Sequence, residues 1–317
     1  MKRALERLFR ILPLLALAGL PALPVLARAA EPLTVRLGYK ATDRLVIVNC
    51  DDVGMCHAAN EAVIDGMENG LITSGTIMVP CPWFPEIAAY GKAHPAADFG
   101  IHLCHTAEWR YYRWGPVLPR VEVPGLVDPD GNLWRSIEEV YGHATPEEAL
   151  AEGRAQIRKA LAAGVDITHL DSHMGTLQYD LRYFQVYVKL AAEFDLPLRM
   201  ASQETLAKFG QPNVRETVAA QGIVFPDYLI HEELGTMGRD VGDFWRRVLK
   251  NLKPGVTELY IHAAKPTAEL QAITGSWRTR GAEYETFTCD AETRALLERE
   301  GIIRIGYRPL RDLQRKR

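Results

Sequence analysis

Short apolar runs alternate with longer amphipathic patterns from residue 44 to residue 307. A short apolar or β-branched run predicts a buried strand, and apolar positions that recur with the helical period predict a helix. The runs predicted as strands are residues 44–50, 72–79, 99–104, 167–171, 198–201, 223–229, 256–262 and 302–307. The predicted helices are residues 58–69, 84–94, 146–163, 180–194, 240–252 and 291–300. This alternation indicates an α/β fold with a parallel sheet.

The third predicted helix has the clearest boundaries. Thr145 and Glu148 fit a capping box, Pro146 occupies the first helical position, and Gly164 follows the last turn. No glycine-rich nucleotide loop follows any predicted strand. Eight βα-like units therefore favour one (β/α)-barrel-like domain, incomplete or distorted, over an open doubly wound sheet.

The first residues of the chain differ from the rest. Four basic residues precede the apolar run Ile11–Leu26, and Ala27-Arg28-Ala29 follows with a small-x-small cleavage pattern. An uncleaved membrane anchor is the alternative, but the run is short for a span and three prolines interrupt it. We expect residues 1–29 to be a signal peptide and residues 30–317 to form the barrel domain. The mature protein would be exported to the periplasm or the medium, without a membrane span.

Composition narrows the range of partners. The chain has 317 residues, 47% of them hydrophobic and 24% charged, with a formal net charge of −3. A globular chain without a basic surplus is not expected to bind nucleic acid.

Five cysteines, an odd number without CxxC spacing, do not predict a disulfide framework, although a single Cys56–Cys81 bridge stays open. The oligomeric state, a homodimer included, also stays open.

Aspartate and histidine residues gather at the ends of four predicted strands. In a barrel these ends meet at the face that carries the active site. The residues are Asp51 and Asp52 after the first strand, His102 in the third, His169, Asp171 and His173 around the fourth, and His262 after the seventh. Singly, an Asp pair also suits a helix N-cap, and an inward histidine is often a hydrogen-bonded core residue. Their coincidence favours a shared site.

The chemistry of these side chains suggests what the site holds. One carboxylate and two imidazoles suit one divalent ion, with Zn²⁺ or Mg²⁺ favoured and Mn²⁺, Co²⁺ or Ni²⁺ also admitted. An adjacent carboxylate that does not bind the ion is able to accept a proton from water.

The same segments resemble a known family, the YdjC-like carbohydrate deacetylases of the ChbG/HpnK type, which include chitooligosaccharide deacetylases. The resemblance spans residues 43–312, and its most specific segments are "LVIVNCDDVGMCHAANEAVIDGMENGLITSGTIMV" and "ITHLDSHMG". It implies a (β/α)-barrel-like fold and metal-dependent removal of N-acetyl groups from amino-sugar oligosaccharides.

The resemblance also implies roles for individual residues. It makes three residues the ligands of the metal ion: Asp52, His102 and His173. It makes Asp51 the general base and His262 the general acid for the leaving amine. His169 and Asp171 are expected to orient the ligands or the substrate.

Two further features have a functional and a structural interpretation each. The long interruption at residues 106–144 is rich in aromatic residues, and Trp109 and Trp114 would either stack on sugar rings or bury the loop against the barrel rim. Arg199, at the end of the fifth predicted strand, would contact either the substrate or the buried carboxylates.

Three other functions compete with deacetylation. His169, Asp171 and His262 spell the H-x-D...H triad of non-haem iron oxygenases, but the predicted helices do not suit their jelly-roll fold. Asp51 and Asp171 would serve as the carboxylate pair of a glycosidase, which leaves the histidines without a role. An exported glycan-binding protein without turnover is the third alternative.

Overall fold

Seven parallel strands form one curled sheet in the computed structural model, which describes residues 31–231 and 241–316. The strands of this part of the chain are β1 (Arg44–Val53), β2 (Ser74–Ile77), β3 (Phe99–Leu103), β4 (Ile167–Ser172), β5 (Tyr228–Ile230), β6 (Gly255–Ile261) and β7 (Ile303–Arg304). β1 is buried along almost its whole length, as expected for a parallel strand that is covered on both faces.

The strand order is β4-β3-β2-β1-β6-β5, and β7 also pairs with β1. Backbone contacts continue beyond the two outer strands. Leu170 of β4 forms a bridge with Leu198, whose amide donates to the carbonyl oxygen of Val224 at 3.1 Å. The amide of Asp227 then donates to Val256 of β6 at 2.9 Å. The sheet thus curls toward closure as an incomplete (β/α)-barrel, which confirms the predicted fold class.

Three of the eight predicted strands were wrong: one is absent and two are much shorter than predicted. Residues 198–201 are not a strand, because Leu198 makes one bridge shortly before the chain enters a helix. Residues 223–229 contribute only the start of β5, since Pro226 has no amide hydrogen to donate to a ladder. Residues 302–307 contribute only β7, because the chain turns there into the last helix.

Each of the six predicted helices corresponds to an observed helix, and the described residues contain further short helices that were not predicted. The helices of the described residues are α1 (Leu33–Arg36), α2 (His57–Glu68), α3 (Phe84–Ala93), α4 (Ile137–His143), α5 (Pro146–Ala162), α6 (Leu181–Phe194), α7 (Gln203–Lys208), α8 (Val214–Ala220), α9 (Val241–Lys250), α10 (Ala268–Ile273), α11 (Trp277–Tyr284), α12 (Ala291–Arg299) and α13 (Arg308–Arg315). The capping box of α5 is confirmed, since the amide of Glu148 donates to Thr145 Oγ1 and the amide of Thr145 donates to Glu148 Oε2. The predicted helix start at residue 240 lies outside the described residues.

Residues 104–136, here called the insert, follow β3 and end where α4 begins. The insert has its own buried side chains, among them Leu126 and Leu133. The carboxylate of Glu152 on α5 accepts from the backbone amides of Val117 and Leu118 at 2.8 and 3.0 Å. The insert is therefore held against the barrel, although it contains little regular structure.

Other sequence predictions concern cysteines and membranes. All five cysteines lie in the described part of the chain and are free thiols, so Cys56 and Cys81 are not bridged. Among the described residues, no helix has the length and apolar character needed to cross a membrane. The predicted signal peptide, residues 1–29, lies outside them.

Candidate metal centre

Two adjacent carboxylates end β1 and point in different directions. Asp52 has a φ of 62°, in the left-handed region, and the pairing of β1 with β2 changes register at this point. Such a bulge re-aims side chains at the end of a strand, and aspartate tolerates the left-handed conformation better than most residues. Asp51 consequently contacts Arg199, whereas Asp52 lies beside two imidazoles.

Those imidazoles belong to His102 of β3 and to His173, which directly follows β4. Asp52 Oδ1 lies 3.3 Å from His102 Nε2 and 3.3 Å from His173 Nδ1, and the two nitrogens are 3.1 Å apart. Ligand atoms bound about 2.1 Å from one ion at tetrahedral or right angles lie about 3.0–3.4 Å from each other. The three predicted ligands are thus spaced as the ligands of one small metal ion would be.

The remaining nitrogens of both rings are held by carboxylates. His102 Nδ1 lies 2.5 Å from Asp171 Oδ1, and His173 Nε2 lies 2.8 Å from Glu108 Oε2. In a neutral imidazole these contacts place the proton on the outer nitrogen, so the inner nitrogen presents its lone pair. Asp52 Oδ1 is buried without a hydrogen-bond partner. Three lone pairs therefore converge, an arrangement that fits a divalent cation.

The electrostatics agree with this geometry. Burial opposes a charged His102, but the Asp171 and Asp51 carboxylates outweigh it and raise the pKa of His102 to about 10. Burial would also lower the pKa of His173, but nearby carboxylates, Glu108 above all, outweigh it and raise the pKa to about 9. The protein thus stabilises positive charge among these side chains, and protons compete with a metal ion for the same nitrogens.

Arg199 neutralises the carboxylates beside the triad. Its guanidinium donates to both oxygens of Asp51 at 2.7 and 2.6 Å, lies 2.7 Å from Asp171 Oδ2, and donates to Glu258 at 2.8 Å. Burial would raise the pKa of Asp51, but Arg199 holds it well below its ordinary value. Of its two predicted roles, the structure gives Arg199 that of partner to buried carboxylates. Asp51, Asp171 and His102 also lie close enough to hold an ion, but Arg199 already contacts both of these carboxylates.

His262 directly follows β6, the neighbour of β1, and is half-buried. Ile261 pairs with Cys50, so His262 lies level with Asp51. Its backbone amide donates to Glu283 Oε2 at 2.7 Å. Burial lowers the pKa of His262 to about 4, so the imidazole is neutral at pH 7. The structure brings His262 to the same end of the barrel as the triad, as predicted.

His169 lies deeper in the barrel than the other predicted site residues. Its ring stacks on Tyr307 with centroids 3.6 Å apart, and its Nδ1 lies 3.0 Å from Thr168 Oγ1. A Cβ at position 100 would lie 2.5 Å from this ring, so Gly100 provides the space it occupies. His169 therefore supports the core below the site and makes no hydrogen bond to the proposed ligands. Of this predicted pair, only Asp171 contacts one of the predicted ligands, His102.

The insert packs against His173. The rings of Trp109 and Trp114 lie 6.1 and 6.0 Å from the His173 ring and 5.3 Å from each other. Both indoles are buried, with 8% and 4% of their surface exposed. Of the two predicted roles, the structure favours burial of the loop, because neither ring offers an exposed face for stacking on a sugar.

The neighbours of these residues also disfavour two alternative functions. His169 stacks inside the barrel, so it does not converge with Asp171 and His262 as an iron-binding H-x-D...H triad would. Asp51 and Asp171 are both bound to the guanidinium of Arg199, so they do not flank an open space as a glycosidase pair does.

Comparisons with known proteins identify the family. The family model described as YdjC-like protein matches residues 45–299. The chain belongs to the YdjC-like family. The YdjC-like chain is 33% identical to a carbohydrate deacetylase of Thermus thermophilus over 258 residues, which are 80% of this chain and 90% of that protein. Another carbohydrate deacetylase, from Thermoanaerobacter pseudethanolicus, is 26% identical over 83% of this chain and 98% of its own length.

A solved structure extends the comparison to the fold of the YdjC-like chain. It belongs to a proposed cellobiose-phosphate cleavage protein of Enterococcus faecalis, is 26% identical, and superimposes with a TM-score of 0.71. The alignment covers 84% of this chain and 99% of that one. The family resemblance that the sequence motifs predicted is thereby confirmed.

Sequence reasoning missed four charged residues of this YdjC-like site: Glu108, Glu258, Arg280 and Glu283. Glu258 had a readable signal, because a charged residue inside a buried strand needs a partner. Arg280 and Glu108 had none. They lie on α11 and in the insert, 228 and 65 positions from the residues they contact.

Proposed function

We propose that the protein is a metal-dependent carbohydrate deacetylase that hydrolyses the N-acetyl group of an amino sugar. Family membership and the relatives named carbohydrate deacetylases support the reaction class. The observation that carries the metal requirement is the convergence of Asp52 Oδ1, His102 Nε2 and His173 Nδ1, which lie 3.1 to 3.3 Å from one another. An Asp-His-His set suits Zn²⁺, Mg²⁺, Mn²⁺, Co²⁺ or Ni²⁺.

An ion held by these residues would supply a Lewis acid for the acetamide carbonyl. Asp51 would accept the proton of the attacking water on a carboxylate lone pair. Arg199 and Asn49 hold that carboxylate in one orientation, with Asn49 Nδ2 donating to Oδ1 at 2.9 Å. Because Arg199 keeps the pKa of Asp51 low, the carboxylate is ionised at pH 7 and is able to accept a proton.

His262 would protonate the departing nitrogen. Its pKa of about 4 leaves the imidazole neutral at pH 7, so it must gain a proton after the substrate binds. His262 lies level with Asp51 on the neighbouring strand. Asp51 would release the proton taken from water to solvent, and His262 would pass a proton gained from solvent to the nitrogen.

Acetate release from N-acetylglucosamine oligomers and cell-wall fragments tests the reaction. The protein is stripped with a chelator and reconstituted with single divalent ions. We expect acetate only when metal is present, and loss of turnover with unchanged metal content in Asp51→Asn. Asp130→Asn, an exposed residue of the insert, is the matched control and should behave as the wild type. Stoichiometric glycan binding without acetate under any ion would overturn the proposal in favour of a binding protein.

We also propose that the protein is exported. The support is the sequence of residues 1–29, a basic start, an apolar run and a small-x-small end. Intact mass measured on protein recovered from the periplasm and from the medium would test it. A mature chain that begins at residue 30 is expected, and an uncleaved chain retained in the cytoplasm would refute the proposal.

A further inference from the structure

The two carboxylate oxygens of Asp52 have different surroundings, because Arg280 binds only one of them. The guanidinium NH2 group donates to Asp52 Oδ2 at 2.6 Å. Oδ1 of the same carboxylate has no hydrogen-bond partner and lies 3.3 Å from each of the two histidine nitrogens. One oxygen is thus committed to arginine and the other is directed at the candidate metal position.

The guanidinium is anchored independently of the triad. Arg280 is buried on α11, and its Nε donates to Ser276 Oγ at 3.0 Å. Its backbone oxygen accepts from the amide of Ala264 at 3.2 Å, and its guanidinium carbon lies 5.9 Å from the centre of the Trp109 ring. Because protein contacts fix Arg280 on several sides, Oδ2 is engaged whether or not an ion is present.

The number of oxygens that a carboxylate offers affects which ions it suits. Large ions such as Ca²⁺ take about six to eight oxygen ligands and often use both oxygens of one carboxylate. Smaller ions such as Zn²⁺ are satisfied by about four ligands, including imidazole nitrogen and a single carboxylate oxygen. A carboxylate with one oxygen already bound to a guanidinium therefore favours the smaller ions.

We propose that Arg280 is a positioning residue that restricts Asp52 to one ligand oxygen and thereby makes the site discriminate against Ca²⁺. This inference rests on the proposed metal site but not on the deacetylase reaction. It concerns a residue that lies outside the predicted ligand and acid-base set. Arg280 acts through Asp52.

The test measures ion affinities of the full chain by competition with a coloured chelator. Zn²⁺ and Ca²⁺ dissociation constants are compared for the wild type, Arg280→Met and Arg280→Lys. Removal of the Arg280 charge strengthens the binding of every divalent cation. The effect of freeing Asp52 Oδ2 is therefore measured by the ratio of the Ca²⁺ and Zn²⁺ dissociation constants and not by either constant alone. We expect the Ca²⁺/Zn²⁺ ratio to fall by at least about tenfold in Arg280→Met and to stay near the wild-type value in Arg280→Lys.

A matched control and a second readout separate selectivity from general damage. Arg278→Met changes an exposed arginine of the same helix and should leave the ratio unchanged. The visible absorption of bound Co²⁺ should weaken in Arg280→Met, because a second carboxylate oxygen raises the coordination number. Circular dichroism and thermal unfolding establish that each variant is folded.

Several results would overturn the inference. An unchanged ratio in folded Arg280→Met would do so, as would loss of every ion, since the residue would then only scaffold the site. If Arg280→Met does not fold, Ser276→Ala removes the hydrogen bond to Nε, and an unchanged ratio in that variant counts against the inference. A wild type that binds no divalent ion refutes the metal site itself. A shifted ratio in a protein that releases no acetate refutes only the deacetylase proposal.

Discussion

Replacing Arg199 by methionine should destabilise the protein in a pH-dependent way. The guanidinium is buried and contacts three carboxylates, those of Asp51, Asp171 and Glu258, at 2.6 to 2.8 Å. Removing one partner of a buried ion pair costs about 3–5 kcal/mol, and removal of a guanidinium shared by three carboxylates places this variant at about 5 kcal/mol near pH 8. The loss of stability is largest at a pH at which all three carboxyl groups would have to be ionised.

The pH dependence has a defined sign. In the wild type the pKa of Asp51 is lowered, so its stabilising contribution is present above its unfolded pKa and is lost only as the pH falls through the folded value. Without Arg199, burial and mutual repulsion raise carboxyl pKa values in the folded state. The variant is then relatively most stable at low pH and loses stability as the pH rises. One extra bound proton changes the free energy of unfolding by about 1.4 kcal/mol per pH unit.

Urea unfolding at pH 5, 6.5 and 8, followed by tryptophan fluorescence in the presence of a chelator, measures this effect. We expect the deficit of Arg199→Met relative to wild type to shrink from about 5 kcal/mol at pH 8 to about 1–2 kcal/mol at pH 5. Arg215→Met is the matched control, because Arg215 donates to the backbone oxygens of Ala201 and Pro226. A deficit that is equal at pH 5 and pH 8 would refute the reasoning. So would a deficit that changes with pH no more steeply than that of the control.

Three further predictions concern the metal centre and its supports. Glu108→Gln keeps the shape of the side chain but removes the charge that holds His173, so metal affinity measured by competition titration should fall about 10–100-fold; unchanged affinity would contradict this role. Gly100→Ala places a Cβ 2.5 Å from the His169 ring and should cost about 1–3 kcal/mol in urea unfolding. Gly142 on α4 has open space where a Cβ would lie, so Gly142→Ala should not destabilise the protein. A loss of stability equal to that of Gly100→Ala would contradict the steric argument. Removal of the ion with a chelator should lower the melting temperature, since an ion at about 100 times its dissociation constant adds about 2.7 kcal/mol; no change would argue against metal binding to the folded state.

The local pattern predicted most of the architecture. β-rich runs and helical periodicity located five strands near their observed positions, and the α5 capping box gave a helix start that the structure confirms. The prediction failed where tertiary context sets the length of a strand. Residues 198–201 have a strand-like composition but make a single bridge, and Pro226 limits β5.

Strand ends explain why much of the candidate site was also predictable. Parallel neighbours bring their carboxyl ends to one edge, so the aspartate and histidine residues at the strand ends were expected to lie near one another. The choice of Asp52, His102 and His173 among them as ligands came from the family resemblance. His169 was misjudged, because period-two alternation places it on the same face as Asp171 but does not reveal its depth in the barrel.

The sequence by itself determined the βα alternation, the family and the strand ends where aspartate and histidine gather, because hydrophobic periodicity and contiguous motifs are local properties of the chain. Only the tertiary structure decided which charges are paired. Arg199 binds Asp51, Arg280 binds Asp52, and Glu108 holds His173 across separations of 148, 228 and 65 residues. Such pairings depend on how far the sheet curls and where the insert and α11 pack, and a buried charge takes whichever partner that packing brings within reach.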